Sequence, residues 1–368
     1  MKAATRPRAA PNGERLLVLD PEARAYGDFA ITDLPEFFAA DDALVMNDAA
    51  TLPASLRASE KLELRLLSEL DDGTWLALSF GSGDFRQPTE ARGKPSRLDP
   101  GQVLDFGRGL SARVVSIDAA APRLLRIAFE QADSSLWQAL YRAARPIQYA
   151  YLERSLALWD VQNAYAARPW AFELPSAGKP LSFDTLFRIE ARGVTLAHLT
   201  HAAGISSTGD PALDARLPLA ERYEICPHTA EVVNRAKCRG GRVVAAGTSV
   251  TRALEAAATA GVVRAGSERT ALLLGPGSQL RVCDGLLTGL HEPGTSHYSL
   301  LEAFAPRRLL DRSFRHAERQ GYLQHEFGDS CLILRCALQT FRRRRQAVAL
   351  RKSSSHARRN ELTAKGAE

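Results

Sequence analysis

The chain has 368 residues, 45% of them hydrophobic and 24% charged, which gives length for two or so domains and the composition of an ordinary soluble globular protein. No apolar run is long enough to span a bilayer, and the start MKAATRPRAAPNGER lacks the apolar core of a secretory signal; a cytoplasmic, monomeric protein without membrane contact is expected. The net charge of +6 is uneven: from Phe341 onward nine Lys or Arg face only Glu361 and Glu368, leaving the body at about −1.

In chain order, residues 1–14, with Pro7 and Pro11, read as a disordered leader. Arg15 to Asp20 (RLLVLD) reads as a strand, and Ile31 to Phe38 as a short helix with Pro35 in its first turn. Ala43 to Leu56 (ALVMNDAATLPASL) is a buried strand followed by a turn at Asn47 and Asp48. From Leu62 to Phe129 the pattern changes. Alternating apolar runs at 62–67, 75–80, 103–106, 113–117 and 124–129 are separated by Gly, Pro and Asp clusters at hairpin spacing, which predicts a small antiparallel barrel or sandwich.

Ser135 to Ala144 reads as a helix returning the chain to the main domain. The expected division is a discontinuous α/β domain over 15–58 and 143–340, an inserted antiparallel β-barrel over 59–142, and a basic disordered tail over 341–368. In RPWAFELPSAGKPLSF, Ser176 and Gly178 sit beside Pro175, where a glycine lets a ligand approach the backbone. His198 and His201 compete for one strand-edge position in GVTLAHLTHAAGISSTG. Pro227 to Lys237 and Pro306 to Gln320 read as helices. The five cysteines are odd in number and form no C-x-x-C pair, so neither a disulfide framework nor a zinc site is favoured, and no metal is expected.

The most informative stretch is 240–304. Val243 to Ala246 reads as a strand, and Gly247, Thr248 and Ser249 as a tight turn opening an Ala-rich helix, whose free N–H groups could hold a carboxylate or phosphate. Arg252 lies within its first turns. Next, 272–274 and 280–283 read as strands about a Gly275-Pro276-Gly277 turn, Asp284-Gly285 as a break, and Ser296 to Phe304 as a helix.

Two strings here, GTSVTRALE and VCDGLLTGLHEPGTS, resemble the GTTSVRSLE-type and VVDALVTNFHLPEST-type segments of the S-adenosylmethionine:tRNA ribosyltransferase-isomerase family of queuosine biosynthesis. The likeness runs along most of the chain. Asn47 and Asp48 hold a family Asn-Asp pair, Ser176 and Gly178 its PTAG position, and Gly328 and Asp329 its Gly-Asp. Departures are equally plain: Ala49, Ala50 and Ser55 replace a threonine and two arginines, and Leu217 and Ala220 replace the histidines of an H-x-M-H-x-E-Y pattern. Glu221 falls one residue ahead of that pattern's glutamate.

The resemblance implies S-adenosylmethionine as co-substrate, without a metal, and tRNA as partner, with the ribosyl group transferred and isomerised onto 7-aminomethyl-7-deazaguanine to give epoxyqueuosine. It implies His291, His201 and Asp284 as candidate catalytic groups, His291 being the first choice for proton transfer. Gly247, Thr248, Ser249, Arg252, Asn47, Asp48, Ser176, Gly178, Thr288 and Asp329 are the candidate substrate-binding residues. Two alternatives remain: an S-adenosylmethionine-using enzyme of the same fold with another acceptor, and a noncatalytic binding homologue.

Overall fold

The computed structural model describes residues 1–8, 12–205, 207–344 and 346. Its centre is a nine-stranded mixed sheet. In chain order the strands are β1 (Arg15–Asp20), β2 (Ala25–Ala30), β3 (Ala43–Asn47), β4 (Thr195–His201), β5 (Glu221–Ile225), β6 (Val243–Ala246), β7 (Gly266–Thr270), β8 (Gly285–Gly289) and β9 (Ser330–Leu334). Their spatial order is β7-β5-β4-β3-β6-β8-β9-β1-β2. The four central strands β4, β3, β6 and β8 run parallel, so all four end on the same edge of the sheet.

β3 and β6 are buried on both faces, which is why they read as continuous apolar runs rather than alternating ones. On β1 and β3, Leu17, Leu19 and Val45 point to one core, and Leu16, Val18 and Leu44 to the other. The first core is closed by α2 (Pro227–Cys238), α3 (Thr248–Ala256) and α4 (Arg307–Arg319), through Val232, Val233, Leu254 and Phe314. The second is closed by the 3-10 turn Ile31–Phe37 and by α1 (Phe183–Glu190), through Phe37, Leu186 and Ile189.

A second, six-stranded antiparallel sheet, barrel-like in form, runs from Ser55–Ser59 to Leu124–Phe129, so it begins ahead of the expected boundary at 59. Trp75 centres its core, edge-on to Phe129, Trp137 and Phe172; Phe172 belongs to the main domain. That core therefore continues into the main domain through Phe172, Ala202 and Ile205.

Three expectations are corrected. The leader is ordered over 1–8: Lys2–Ala3 pairs in parallel with Leu323–Gln324, and Arg8 binds Asp329 at 2.6 Å. The segment has no apolar pattern of its own and takes its order from a strand far along the chain. Residues 272–274 and 280–283 form no strands. The N–H groups of Arg281, Val282 and Cys283 instead bind the Glu255 carboxylate at 2.9, 3.0 and 2.9 Å, and Gly285 opens β8 instead of breaking it. At Gly285 a Cβ would lie 2.5 Å from Leu334 Cδ1, so the glycine is there for close strand packing. Of the expected basic tail, residues 341–344 and 346 continue a helix begun at 337, and residues 345 and 347–368 lie outside the described residues.

Candidate active site

Loops leaving the carboxyl ends of parallel strands are where an open α/β sheet builds a ligand site. Here that edge carries Asn47 at the end of β3 and Asp48 just after it, Thr200 and His201 on β4, Gly247 to Ser249 after β6, and Thr288 to His291 on and after β8. Beside β8, on the same edge, β9 begins at Ser330 just after Asp329. Below Thr288 and Asp329 opens a cleft of about 540 Å³, walled by Ser176, Ala177, Lys179, Asn163, Trp159 and the segment 325–330.

Behind this wall the packing is tight. Gly178 ends a short 3-10 turn, and a Cβ there would come within 2.0 Å of Tyr165 Oη and 2.6 Å of Asn163 Nδ2. Asn163 spends its amide on Pro175 O at 3.0 Å, while its Oδ1 and the Tyr165 hydroxyl are buried without a protein hydrogen-bond partner. Burial, with the Asp48 charge, pushes the Tyr165 phenol well up, so it stays protonated and able to donate. The walls carry charges of both signs: Lys179 and Arg8 against Glu14, Asp160 and Glu326.

Gly247 sits directly behind this wall. It adopts φ 111°, which favours glycine, and a Cβ there would lie 3.4 Å from the Ala177 Cβ. Its N–H binds Leu287 O on the neighbouring strand at 2.8 Å, so the start of α3 and the end of β8 leave the sheet side by side. No side chain caps α3, so the N–H groups at Thr248 and Ser249 receive no side-chain acceptor.

Thr288 lines the cleft, and its Oγ1 lies 2.8 Å from His291 Nε2. The His291 ring stacks on His297, with centroids 5.0 Å apart. Burial, then the neighbouring His297 and His325, hold His291 well below the ordinary histidine range, and burial, then Arg252, brings His297 down to about 4. The sequence reading expects a near-neutral His291; in the structure its base form is the resting form.

A second cluster lies under α3. His201 is fully buried, its Nε2 stands 3.6 Å from Glu221 Oε2, and neither ring nitrogen has a hydrogen-bond partner. Glu221 binds Arg252 and accepts from Gly204 N at 2.7 Å. Burial, then the Arg252 charge, push the His201 imidazole far down and keep it neutral. His198, the competing histidine, is mostly exposed and stands 3.6 Å from Asp48.

Other expected binders are spent on the scaffold. Asn47 ties β3 to β4 by accepting from His201 N at 2.9 Å and donating to His201 O at 3.0 Å. Asp48 accepts from Thr200 Oγ1 at 2.6 Å. Asp329 lines the cleft, but its two oxygens are taken by Arg8, Arg15, the Arg15 N–H and the Leu323 N–H. Asp284 is misplaced by the sequence reading: it sits at the opposite end of β8, about 16 Å from the site edge at an ordinary strand rise. There it binds Lys237 at 3.0 Å, Arg335 at 2.8 Å and the Val243 N–H at 3.0 Å.

The sequence reading missed Lys179, Asn163, Tyr165, Trp159 and His325. His325 had a signal in its composition alone, a polar ring beside Gly328-Asp329. The structure places it at φ 69° and stacks its ring on Tyr151 at 4.3 Å. Among the described residues no group of three or more His, Cys, Asp or Glu could hold a metal ion, and no helix is long and apolar enough to cross a membrane.

Residues 1–333 match the protein family described as queuosine biosynthesis protein. An S-adenosylmethionine:tRNA ribosyltransferase-isomerase from Anaeromyxobacter dehalogenans is 33% identical over 338 residues, covering 88% of this chain and 93% of the relative. The enzyme of that name from Thermus thermophilus is 35% identical over 313 residues, covering 83% and 87%. A crystal structure of an S-adenosylmethionine tRNA ribosyltransferase from Thermotoga maritima, 22% identical, superposes with a TM-score of 0.50 over 90% of this chain and 96% of that one; this likeness concerns the fold.

Proposed function

The chain belongs to the queuosine biosynthesis protein family, and from that premise we propose that it is an S-adenosylmethionine:tRNA ribosyltransferase-isomerase. The carrying observation is the near full-length relation to enzymes of that name, 33% identity over 88% of this chain. In this reading the ribosyl group of S-adenosylmethionine passes to the aminomethyl nitrogen of a 7-deazaguanine in tRNA, adenine and methionine leave, and the sugar closes to the epoxycyclopentane of epoxyqueuosine. The protein works in the cytoplasm as a monomer.

S-adenosylmethionine carries a carboxylate, an ammonium and a sulfonium, and the cleft offers partners for each. Lys179 faces the carboxylate. Glu14 and Asp160, both on the wall, face the two cations. The unpartnered Asn163 Oδ1 supplies an acceptor on the cleft wall for the ribose or the adenine.

The reaction needs a base for the proton next to the sulfonium and a donor for the departing adenine. His291, neutral at rest and hydrogen-bonded to Thr288 on the cleft wall, is the base of this proposal. Its lowered pKa makes the protonated ring a ready donor, so one group can take a proton and give it up. Thr248 and Ser249 offer N–H groups on the adjoining strand end, and Arg252, held by Glu221, lends positive charge under them. His201 lies buried beside this pair, 3.6 Å from Glu221.

The near-neutral body favours one further reading, the same chemistry on a smaller acceptor. Incubation with S-adenosylmethionine and deazaguanine-modified tRNA separates the two. Adenine release with a matching mass gain on tRNA supports the first, adenine release without the gain supports the second, and neither event refutes both.

A further inference from the structure

The large exposed aromatic rings among the described residues are Trp159, Phe183, Phe187 and Tyr141; the first lines the cleft, and Phe183 directly follows Ser182 of its wall. Trp159 lines the cleft and is 79% exposed. Ser182, on the cleft wall, caps α1 by accepting from Thr185 N, so Phe183 stands at the lip. Phe187 follows one turn later, 63% exposed, its ring stacked near-parallel to Phe183 with centroids 6.3 Å apart.

Nothing in the fold requires these two rings. The inner face of α1 is already supplied by Thr185, Leu186 and Ile189, and an exposed phenylalanine pair leaves its apolar faces in water. Cations lie on the same helix and on the segments next to it. Lys179 stands at the cleft; Arg188 donates to Thr32 O at 2.9 Å, Arg192 binds Glu36, and Arg344 donates to Pro35 O at 3.4 Å. Asp184 and Glu190 are the exposed carboxylates on α1, and Asp184 lies 3.9 Å from Arg188. From Phe183 to Arg192 the strip extends about 14 Å along the helix axis.

We propose that the strip from Trp159 and Lys179, over Phe183 and Phe187, to Arg188 and Arg344 is the surface on which single-stranded nucleotides of the RNA substrate lie, an inference that rests on the reading above. Rings that accept the flat face of any base, interleaved with cations that track phosphates, are the recognition chemistry of single-stranded nucleic acid. The strip starts at the cleft, so a nucleotide entering it leaves its neighbours over Phe183 and Phe187. With the body up to residue 340 at about −1, positive charge for RNA is local, on this strip and on the basic segment from residue 341 that supplies Arg344.

The test is fluorescence anisotropy of a labelled anticodon stem-loop RNA with the full chain, beside adenine release from S-adenosylmethionine. Both rings are exposed, so F183A/F187A keeps the fold, and its RNA affinity should fall by about tenfold for each ring removed. F183Y/F187Y should stay within about threefold of the parent, because stacking survives. Arg188→Ala should lower the slope of affinity against salt by about one. If the parent binds RNA and F183A/F187A binds equally well, the surface is wrong and the functional reading stands. If the double variant instead shifts the oligomeric state of RNA-free protein, the occupant is a second copy and the inference is overturned. A parent that neither binds RNA nor releases adenine overturns the functional reading itself.

Discussion

Thr288 Oγ1 and His291 Nε2 lie 2.8 Å apart, with the hydroxyl on the cleft wall and the imidazole behind it. This pair joins the cleft to the histidine cluster. His291→Ala should lower kcat by about 10²–10⁴-fold, the usual worth of a positioned proton-transfer group, with little change in melting temperature. Thr288→Val, which keeps shape and loses the hydroxyl, should lower kcat while S-adenosylmethionine affinity stays near that of the parent. Adenine release and calorimetric titration give both readouts; unchanged turnover in His291→Ala removes it from the reaction.

Acid should destabilise the free protein through its histidines. His201, His291 and His297 all have folded-state pKa values below the ordinary 6.5, His297 at about 4. Between those values the unfolded chain binds more protons than the folded one, so stability is full above about pH 6.5 and is lost as pH falls through the folded values. For His297 alone the loss approaches about 3 kcal/mol by pH 4. Melting curves from pH 7 to 4.5 should fall steadily, and His297→Phe should flatten the slope.

Gly178→Ala places a methyl where Tyr165 Oη and Asn163 Nδ2 now stand, 2.0 and 2.6 Å from the new carbon. Overpacking of this kind costs about 1–3 kcal/mol. Asn163 lines the cleft, so KM for S-adenosylmethionine should rise along with the loss of stability. Thermal denaturation and initial rates on the same preparation would show whether the two changes occur together.

Two carboxylates, Asp284 and Glu221, should prove to be scaffold groups. Asp284→Asn removes the partner of Lys237 and Arg335 far from the site, so stability should drop by about 1–2 kcal/mol while kcat and KM stay put. Glu221→Ala leaves Arg252 unpaired beneath α3 and should cost about 3–5 kcal/mol. A double variant with Arg252→Met should recover part of it. Loss of turnover in a stable Asp284→Asn protein would restore Asp284 to the site.

Local pattern carried much of the scaffold. Val243 to Ala246 and the helix start at Thr248 were legible because an apolar run, a glycine and an Ala-rich segment each dictate their own conformation. The strand Gly285–Gly289 was not, since a glycine demanded by a neighbouring strand looks in sequence like a turn. Nor was the order of residues 1–8, which comes from pairing with Leu323–Gln324. Of the candidate site, Thr288, Ser176 and Asp329 were found and do line the cleft. Lys179, Asn163 and Tyr165 were missed because what marks them, an unpartnered atom or a charge on a shared wall, exists only after the loops meet. Glu221 stood one residue out of register in sequence, yet β5 brings it to Arg252 and His201.

If this cleft consumes S-adenosylmethionine for ribosyl transfer to tRNA, both products appear together. Mass spectrometry of deazaguanine-modified tRNA after incubation with the protein and S-adenosylmethionine, with adenine quantified in the same sample, tests it most directly. The account predicts one adenine released for each tRNA that gains the ribosyl-derived group; adenine absent and tRNA mass unchanged at saturating S-adenosylmethionine would contradict it.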